Sequence, residues 1–147
     1  MTHRFRTTLT AGMLAASLAA CGGDPTGTDP ELGGEYILVS IDGKLLPVIV
    51  DQIGNDIAEV TFGSVTLNAN GTFSDVTHLR ITESGVTTTE VDATQGTWAV
   101  VGTTVAFTPN DGSGNYTMTW DGDIRLTQLF QGFTLVYEQF PPFLTRH

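Results

Sequence analysis

The chain has 147 residues, enough for one domain whose core holds together without disulfides or metals. Only 15% of the residues are charged, which favours short strands over amphipathic helices, and a single cysteine excludes an intrachain disulfide. Acidic residues outnumber basic ones by sixteen to six, and the net charge of −10 disfavours nucleic acid and anionic lipid head groups as partners.

Residues 1–20 have the three parts of an export signal, namely a basic start, an apolar stretch and small residues before a cleavage point. The apolar stretch is about a dozen residues long, whereas a membrane-spanning helix needs roughly twenty. It ends in Leu18-Ala19-Ala20-Cys21, a branched aliphatic residue, two small residues and a cysteine. This tetrapeptide resembles the lipobox of bacterial lipoproteins.

The lipobox resemblance implies cleavage before Cys21 and attachment of diacylglycerol and further acyl chains such as palmitate to that cysteine. We therefore expect an exported protein held at a membrane through the lipid on Cys21. Because Gly22 follows the cysteine, the resemblance implies the outer membrane, at its periplasmic or cell-surface face. An ordinary secretory signal or an uncleaved helix is the alternative.

The next segment reads GGDPTGTDPELGG from Gly22 to Gly34 and has no apolar periodicity. Glycine, proline, threonine and acid are typical of a flexible linker. Residues 21–34 are thus predicted to be an acylated N-terminus and tether, which reaches about 40 Å when fully extended.

From Glu35 onward, turn signals such as Asn70-Gly71 recur at short intervals between β-prone runs. Asn-Gly and Asp-Gly tolerate the positive φ angles of two-residue hairpins, which favours consecutive antiparallel strands. Around Gly63 the apolar phase slips, which predicts a bulge at that glycine. The predicted strands are 35–41, 57–67, 72–82, 86–93, 96–101, 103–108, 115–120, 123–129 and 133–138.

Sequential hairpins without a crossover helix permit an up-and-down barrel or a two-sheet sandwich. Barrel closure removes exposed strand edges, so we predict an all-β, antiparallel up-and-down barrel of about eight strands. The barrel is assigned to residues 35–140, and residues 141–147 are assigned to a C-terminal tail.

Four stretches, 34–38, 41–47, 63–73 and 96–98, carry a resemblance that covers nearly the whole domain. They look like the small lipocalin-like lipoproteins of environmental bacteria. The resemblance implies a calycin-type barrel with an interior cavity for a small hydrophobic ligand.

The aromatic side chains are the most informative candidate site, and two interpretations stay open: they fill a solid core, or some line a ligand cavity. Asp75 and Thr77 share the strand phase of Phe73, so polar groups on the inner face favour a cavity. The candidate lining residues are Phe62, Phe73, Trp98, Phe107, Trp120, Phe133 and Tyr137.

No convergent catalytic or metal-binding set is recognisable in the sequence. His78 has no neighbouring catalytic partner and is predicted to face solvent, and the loop at Asp111 lacks the glycine and glutamate of a calcium loop. We expect a binding protein rather than an enzyme, without metal or cofactor. The alternative is an envelope interaction or inhibitor module that uses the tether or the Pro141-Pro142-Phe143 tail.

Overall fold

A computed structural model describes residues 31–140 of the chain. The predictions for the leader, for residues 21–30 of the tether and for the tail at 141–147 lie outside the described residues. Within the described part there is no helix long and apolar enough to cross a membrane. The strands are β1 Gly34–Ile41, β2 Lys44–Leu45, β3 Val48–Ile53, β4 Asp56–Leu67, β5 Thr72–Glu83, β6 Val86–Val101, β7 Thr104–Pro109, β8 Tyr116–Trp120, β9 Arg125–Phe130 and β10 Phe133–Gln139.

Eight of these strands close into an antiparallel up-and-down barrel. From β4 to β10 each strand pairs with the next along the chain. Strand β1 joins the two ends of this series, because it pairs with β10 on one side and with β4 on the other. Strands β2 and β3 are not members of this eight-stranded ring and pair with β1 and β4, respectively. The predicted fold class is confirmed.

The turns divide the barrel into two ends, which we call the closed end and the open end. The β4–β5, β6–β7 and β8–β9 turns lie at the closed end, together with the start of β1. The β1–β2, β5–β6, β7–β8 and β9–β10 turns lie at the open end. Three open-end turns have positive φ at both central residues, as two-residue hairpins require. They are Asp42-Gly43, Ser84-Gly85 and Gln131-Gly132.

Most of the packed core lies towards the closed end. Leu32, just before β1, is fully buried, and its carbonyl oxygen accepts a 2.7 Å hydrogen bond from the buried Tyr36 hydroxyl. The Trp98 indole donates to the Asn68 carbonyl oxygen in the β4–β5 turn at 3.0 Å. The rings of Phe73 and Phe107 meet edge to face, with centroids 5.0 Å apart. Apolar area and satisfied polar groups thus seal this end.

Strand β6 is one element of 16 residues, so the predicted division into 86–93 and 96–101 is wrong. Gly96 marks a close approach within the strand. A Cβ there would lie 2.1 Å from the Thr108 carbonyl oxygen and 2.8 Å from the Phe73 ring. The glycine is needed for packing, because no larger side chain fits between these groups. Strands β2 and β3 were not anticipated.

The β4 bulge lies at Thr61, where the ladder to β5 is irregular between Val60 and Phe62, and not at Gly63 as predicted. A bulge reverses the faces of the residues that follow it. Phe62 therefore points to the outer face, 36% exposed, with its ring centroid 5.2 Å from that of His78. Gly63 is buried beneath Leu38.

A cavity in the open end as candidate functional site

The open end of the barrel holds a cavity of about 750 Å³. Ligand pockets in proteins commonly span about 300–1,000 Å³, so the space suits a small molecule. Its mouth includes exposed residues of the β7–β8 and β9–β10 turns, and its walls come from β1, β3, β4, β5, β6, β8, β9 and β10. The apolar lining is Ile41, Val50, Val60, Leu79, Phe130, Phe133 and Leu135, and the main polar lining is Asp51, Asp75, Thr77, Asp92, Thr94, Tyr116, Gln128 and Tyr137.

Strands β5 and β6 supply a polar wall. Asp75 lies opposite Thr94 and Thr77 lies opposite Asp92, and all four residues line the cavity. Residues two apart on a strand share a face, so Asp75 and Thr77 point inward together, as the sequence predicts. The two carboxylates are diagonal neighbours, a relation that separates Cα atoms by about 7–8 Å.

Asp75 is the best-defined polar group of the site. The Tyr116 hydroxyl donates a 2.9 Å hydrogen bond to its Oδ2. Burial raises the pKa of Asp75 above the ordinary 3.8, and the nearby charge of Asp92 raises it further, while the bond from Tyr116 acts in the opposite direction. Burial and the Asp75 charge raise the pKa of Tyr116, so its phenol stays protonated and remains a donor at neutral pH.

Two nearly buried polar side chains face the cavity without a protein partner. Gln128 is 8% exposed and Tyr137 is 2% exposed, and both line the cavity. Neither the Gln128 amide nor the Tyr137 hydroxyl has a hydrogen bond to any residue between 31 and 140. Burial and the Asp75 charge raise the pKa of Tyr137, which keeps its hydroxyl neutral. No inaccessible side-chain nitrogen or oxygen of the described residues lacks a partner, so the polar atoms of Gln128 and Tyr137 are accessible from the cavity and can bond to a ligand.

Gln128 also occupies a position where an apolar residue would be expected. On β9, Leu126 and Gln128 are buried on the inner face. Leu129, the next residue, points to the outer face and is 79% exposed. A pattern based on hydrophobicity alone would turn Leu129 inward. The phase set by Leu126 was the available signal for Gln128, which sequence reasoning missed.

Of the seven aromatic residues predicted to line a cavity, Phe133 and Tyr137 do so. Phe73 and Phe107 belong to the packed core below it. Tyr116, which was not among the seven, forms the boundary, because its ring stacks on Phe107 with centroids 4.8 Å apart while its hydroxyl reaches Asp75. The floor of the cavity is therefore the top of the aromatic core.

The other three predicted lining residues lie elsewhere. Trp98 is buried at the closed end, where its backbone N–H donates to the Gly71 carbonyl oxygen and its indole N–H donates to the Asn68 carbonyl oxygen. Trp120 lies at the same end and donates from its indole to the Asp123 carbonyl oxygen at 3.1 Å. Phe62 is on the outer face because of the bulge. These three assignments are corrected by the structure.

The cavity lining is made of apolar, acidic and neutral polar side chains. It contains no His, Cys, Lys or Arg among the described residues. In the same part of the chain, no group of three His, Cys, Asp or Glu side chains is placed to hold a metal ion. What the walls offer is apolar and aromatic surface, carboxylates and neutral hydrogen-bonding groups.

No family model, no curated protein and no solved structure matches the chain.

Proposed function

We propose that this protein is a lipid-anchored binding protein of the bacterial envelope, whose barrel takes a small, mainly apolar ligand. The observation that carries the binding half is the open-end cavity with its two unpartnered polar side chains, Gln128 and Tyr137. A purely structural barrel would gain stability from filling this space, because each buried methylene contributes about 0.8 kcal/mol. The closed end of the barrel is packed, whereas the open end encloses a cavity with a mainly apolar lining and a few polar groups, which is typical of a ligand pocket.

The anchoring half rests on the lipobox-like residues before Cys21 and on the position of β1. Strand β1 begins at the closed end, so the described chain enters the barrel at the end opposite the cavity mouth. Several acyl chains, which bind a membrane far more durably than one chain, would keep the domain within the length of its tether.

Ligand binding is tested with residues 21–147 carrying Cys21→Ser, by titration calorimetry and by the fluorescence of an environment-sensitive apolar dye. Trp98 and Trp120 are at the closed end, so their fluorescence is a poor reporter. Thr77→Phe places a ring in the cavity, and we expect it to weaken dye binding at least about tenfold. The matched control is Val76→Phe, which places the same ring on the other face of β5.

Equal dye binding by the parent protein, Thr77→Phe and Val76→Phe would contradict the cavity as the site. Circular dichroism of each variant verifies that the strands are intact. Absence of binding by the parent protein to the dye and to a panel of fatty acids, isoprenoids and aromatic amines would contradict the binding function as a whole.

Anchoring is tested with the full chain expressed in a bacterium that processes lipoproteins, in the presence of an alkyne-labelled palmitate. We expect the label and membrane association in the parent chain and the loss of both in Cys21→Ser. A soluble, unlabelled parent chain would contradict the anchor and leave the binding proposal standing.

A further inference from the structure

Asp75 carries a negative charge into the cavity that no basic side chain of the described residues balances there. Arg80 pairs with Glu59 and Arg125 pairs with Glu138, both on the outer face. Lys44 is exposed on β2, outside the ring. The cavity lining therefore contains carboxylates without a counter-ion.

One oxygen of Asp75 remains free for a ligand. The Tyr116 hydroxyl bonds to Oδ2, and Oδ1 has no hydrogen bond to a described residue. A partly buried carboxylate is unfavourable unless an opposite charge or donors accompany it. A ligand cation at Oδ1 would provide both, and its charge-assisted hydrogen bond would be stronger than a neutral one.

The second observation, independent of the carboxylates, is the pair Gln128 and Tyr137. They are 8% and 2% exposed, line the same cavity and have no protein hydrogen-bond partner between residues 31 and 140. The Gln128 amide carbonyl can accept an N–H, and the Tyr137 hydroxyl can do the same. The rings of Tyr116, Phe133 and Tyr137 add surfaces that suit an aromatic body or a cation.

We propose that the cavity is specific for small apolar or aromatic molecules that carry a protonated amine, with the ammonium bound at Asp75. This inference rests on the proposed binding function and names its ligand class. A fatty acid would bring its carboxylate into a cavity that already contains Asp75, Asp92 and Asp51, and these negative charges would repel it. A neutral ligand would leave the charge of Asp75 unbalanced.

The test compares three probes that share one ring system: tryptamine, tryptophol and indole-acetate. Titration calorimetry at neutral pH measures each with residues 21–147 carrying Cys21→Ser. We expect tryptamine to bind at least about tenfold more tightly than the alcohol, and the carboxylate to bind most weakly.

Asp75→Asn keeps the shape of the side chain and an oxygen that accepts from Tyr116. We expect it to remove the preference for tryptamine, because it weakens tryptamine binding and does not weaken tryptophol binding to the same extent. Asp123→Asn, which removes one charge at the closed end, should leave all three affinities unchanged. Circular dichroism verifies that the Asp75 variant is folded.

A pH series on the parent protein gives a second readout that needs no variant. Tryptamine stays protonated across the acidic range, while Asp75 becomes neutral as pH falls through its raised pKa. The titratable groups in the cavity with Asp75 are Tyr116, Tyr137, Asp92 and Asp51, and the two phenols stay neutral in this range. The preference for the amine should therefore decline on acidification.

The outcomes separate the two proposals. Equal binding of the three probes, or an amine preference that survives Asp75→Asn, would overturn the ligand class while the cavity remains a binding site. Failure of every probe and of the apolar dye would overturn the binding function itself.

Discussion

The two ends of the barrel use the same strands for opposite purposes. At the closed end, Tyr36 and Trp98 are buried and each donates a hydrogen bond to a backbone carbonyl. In the cavity, Tyr137 and Gln128 are 2% and 8% exposed and have no such partner within the described chain. The difference indicates that stability is concentrated in one half of the molecule and recognition in the other.

The largest contrast is expected from removing one ring at each end. Phe107→Ala leaves a void in the packed core and should lower the free energy of unfolding by about 3–5 kcal/mol. Phe133→Ala should cost about 1 kcal/mol or less, because this half-buried ring already borders a cavity. Urea unfolding measures both changes. Equal losses would mean that the open end is packed as tightly as the closed end.

The next effect concerns two strand glycines. Gly96→Ala forces a Cβ against the Thr108 carbonyl oxygen, a backbone atom, and should destabilise the fold by about 1–3 kcal/mol. Gly63→Ala meets side-chain atoms of Leu38 at 2.9 and 3.0 Å, a less severe overlap, and should cost less. Thermal unfolding of both variants measures the difference. A larger loss at Gly63 would contradict the rigid closed end.

Two buried tyrosines offer a smaller and sharper comparison. Tyr36→Phe removes the donor to the Leu32 carbonyl oxygen and should cost about 1 kcal/mol. Tyr137→Phe removes a hydroxyl with no partner between residues 31 and 140 and should leave the free energy of unfolding nearly unchanged. Chemical denaturation resolves this difference. A matching loss in Tyr137→Phe would indicate that its hydroxyl is not free.

The smallest effect is a pH dependence of opposite sign at the two ends. The folded-state pKa of Asp75 is raised above 3.8, so the folded protein binds more protons and the free energy of unfolding falls as pH rises through this interval. Asp121, in the closed-end β8–β9 turn, accepts from the backbone amides of Arg125 and Asp123, which lower its pKa. Its stabilising contribution is present above 3.8 and is lost as pH falls through the lowered value.

Denaturation curves across the acidic range measure both slopes. Relative to the parent protein, Asp75→Asn should gain stability as pH rises, and Asp121→Asn should lose stability. Slopes of the same sign in the two variants would contradict the assigned environments.

The sequence predicted the barrel because the signals that define it are local. Turn pairs such as Ser84-Gly85 mark hairpins, and strict alternation along 104–109 marks the faces of a strand. The phase of β5 likewise placed Asp75 and Thr77 correctly on the inner face.

The candidate site was harder to predict because it depends on position along the barrel axis. Alternation identifies an inward residue but does not distinguish the closed end, where Trp98 lies, from the open end, where Phe133 lies. A one-residue shift at Thr61 was enough to move Phe62 outside. Gln128 is polar, and a polar residue on a strand is normally expected to face solvent. Its inward position therefore emerged only from the structure.

The way β1 is held has a mechanical consequence. This strand is bonded along both sides, to β4 from Gly34 to Ile37 and to β10 from Tyr36 to Ile41. A force applied through the residues before Glu31 would act along the strand and load both ladders in shear, so that many hydrogen bonds share it at once. A pulling force on the tether should therefore be resisted by the closed end of the barrel before it distorts the cavity mouth at the open end.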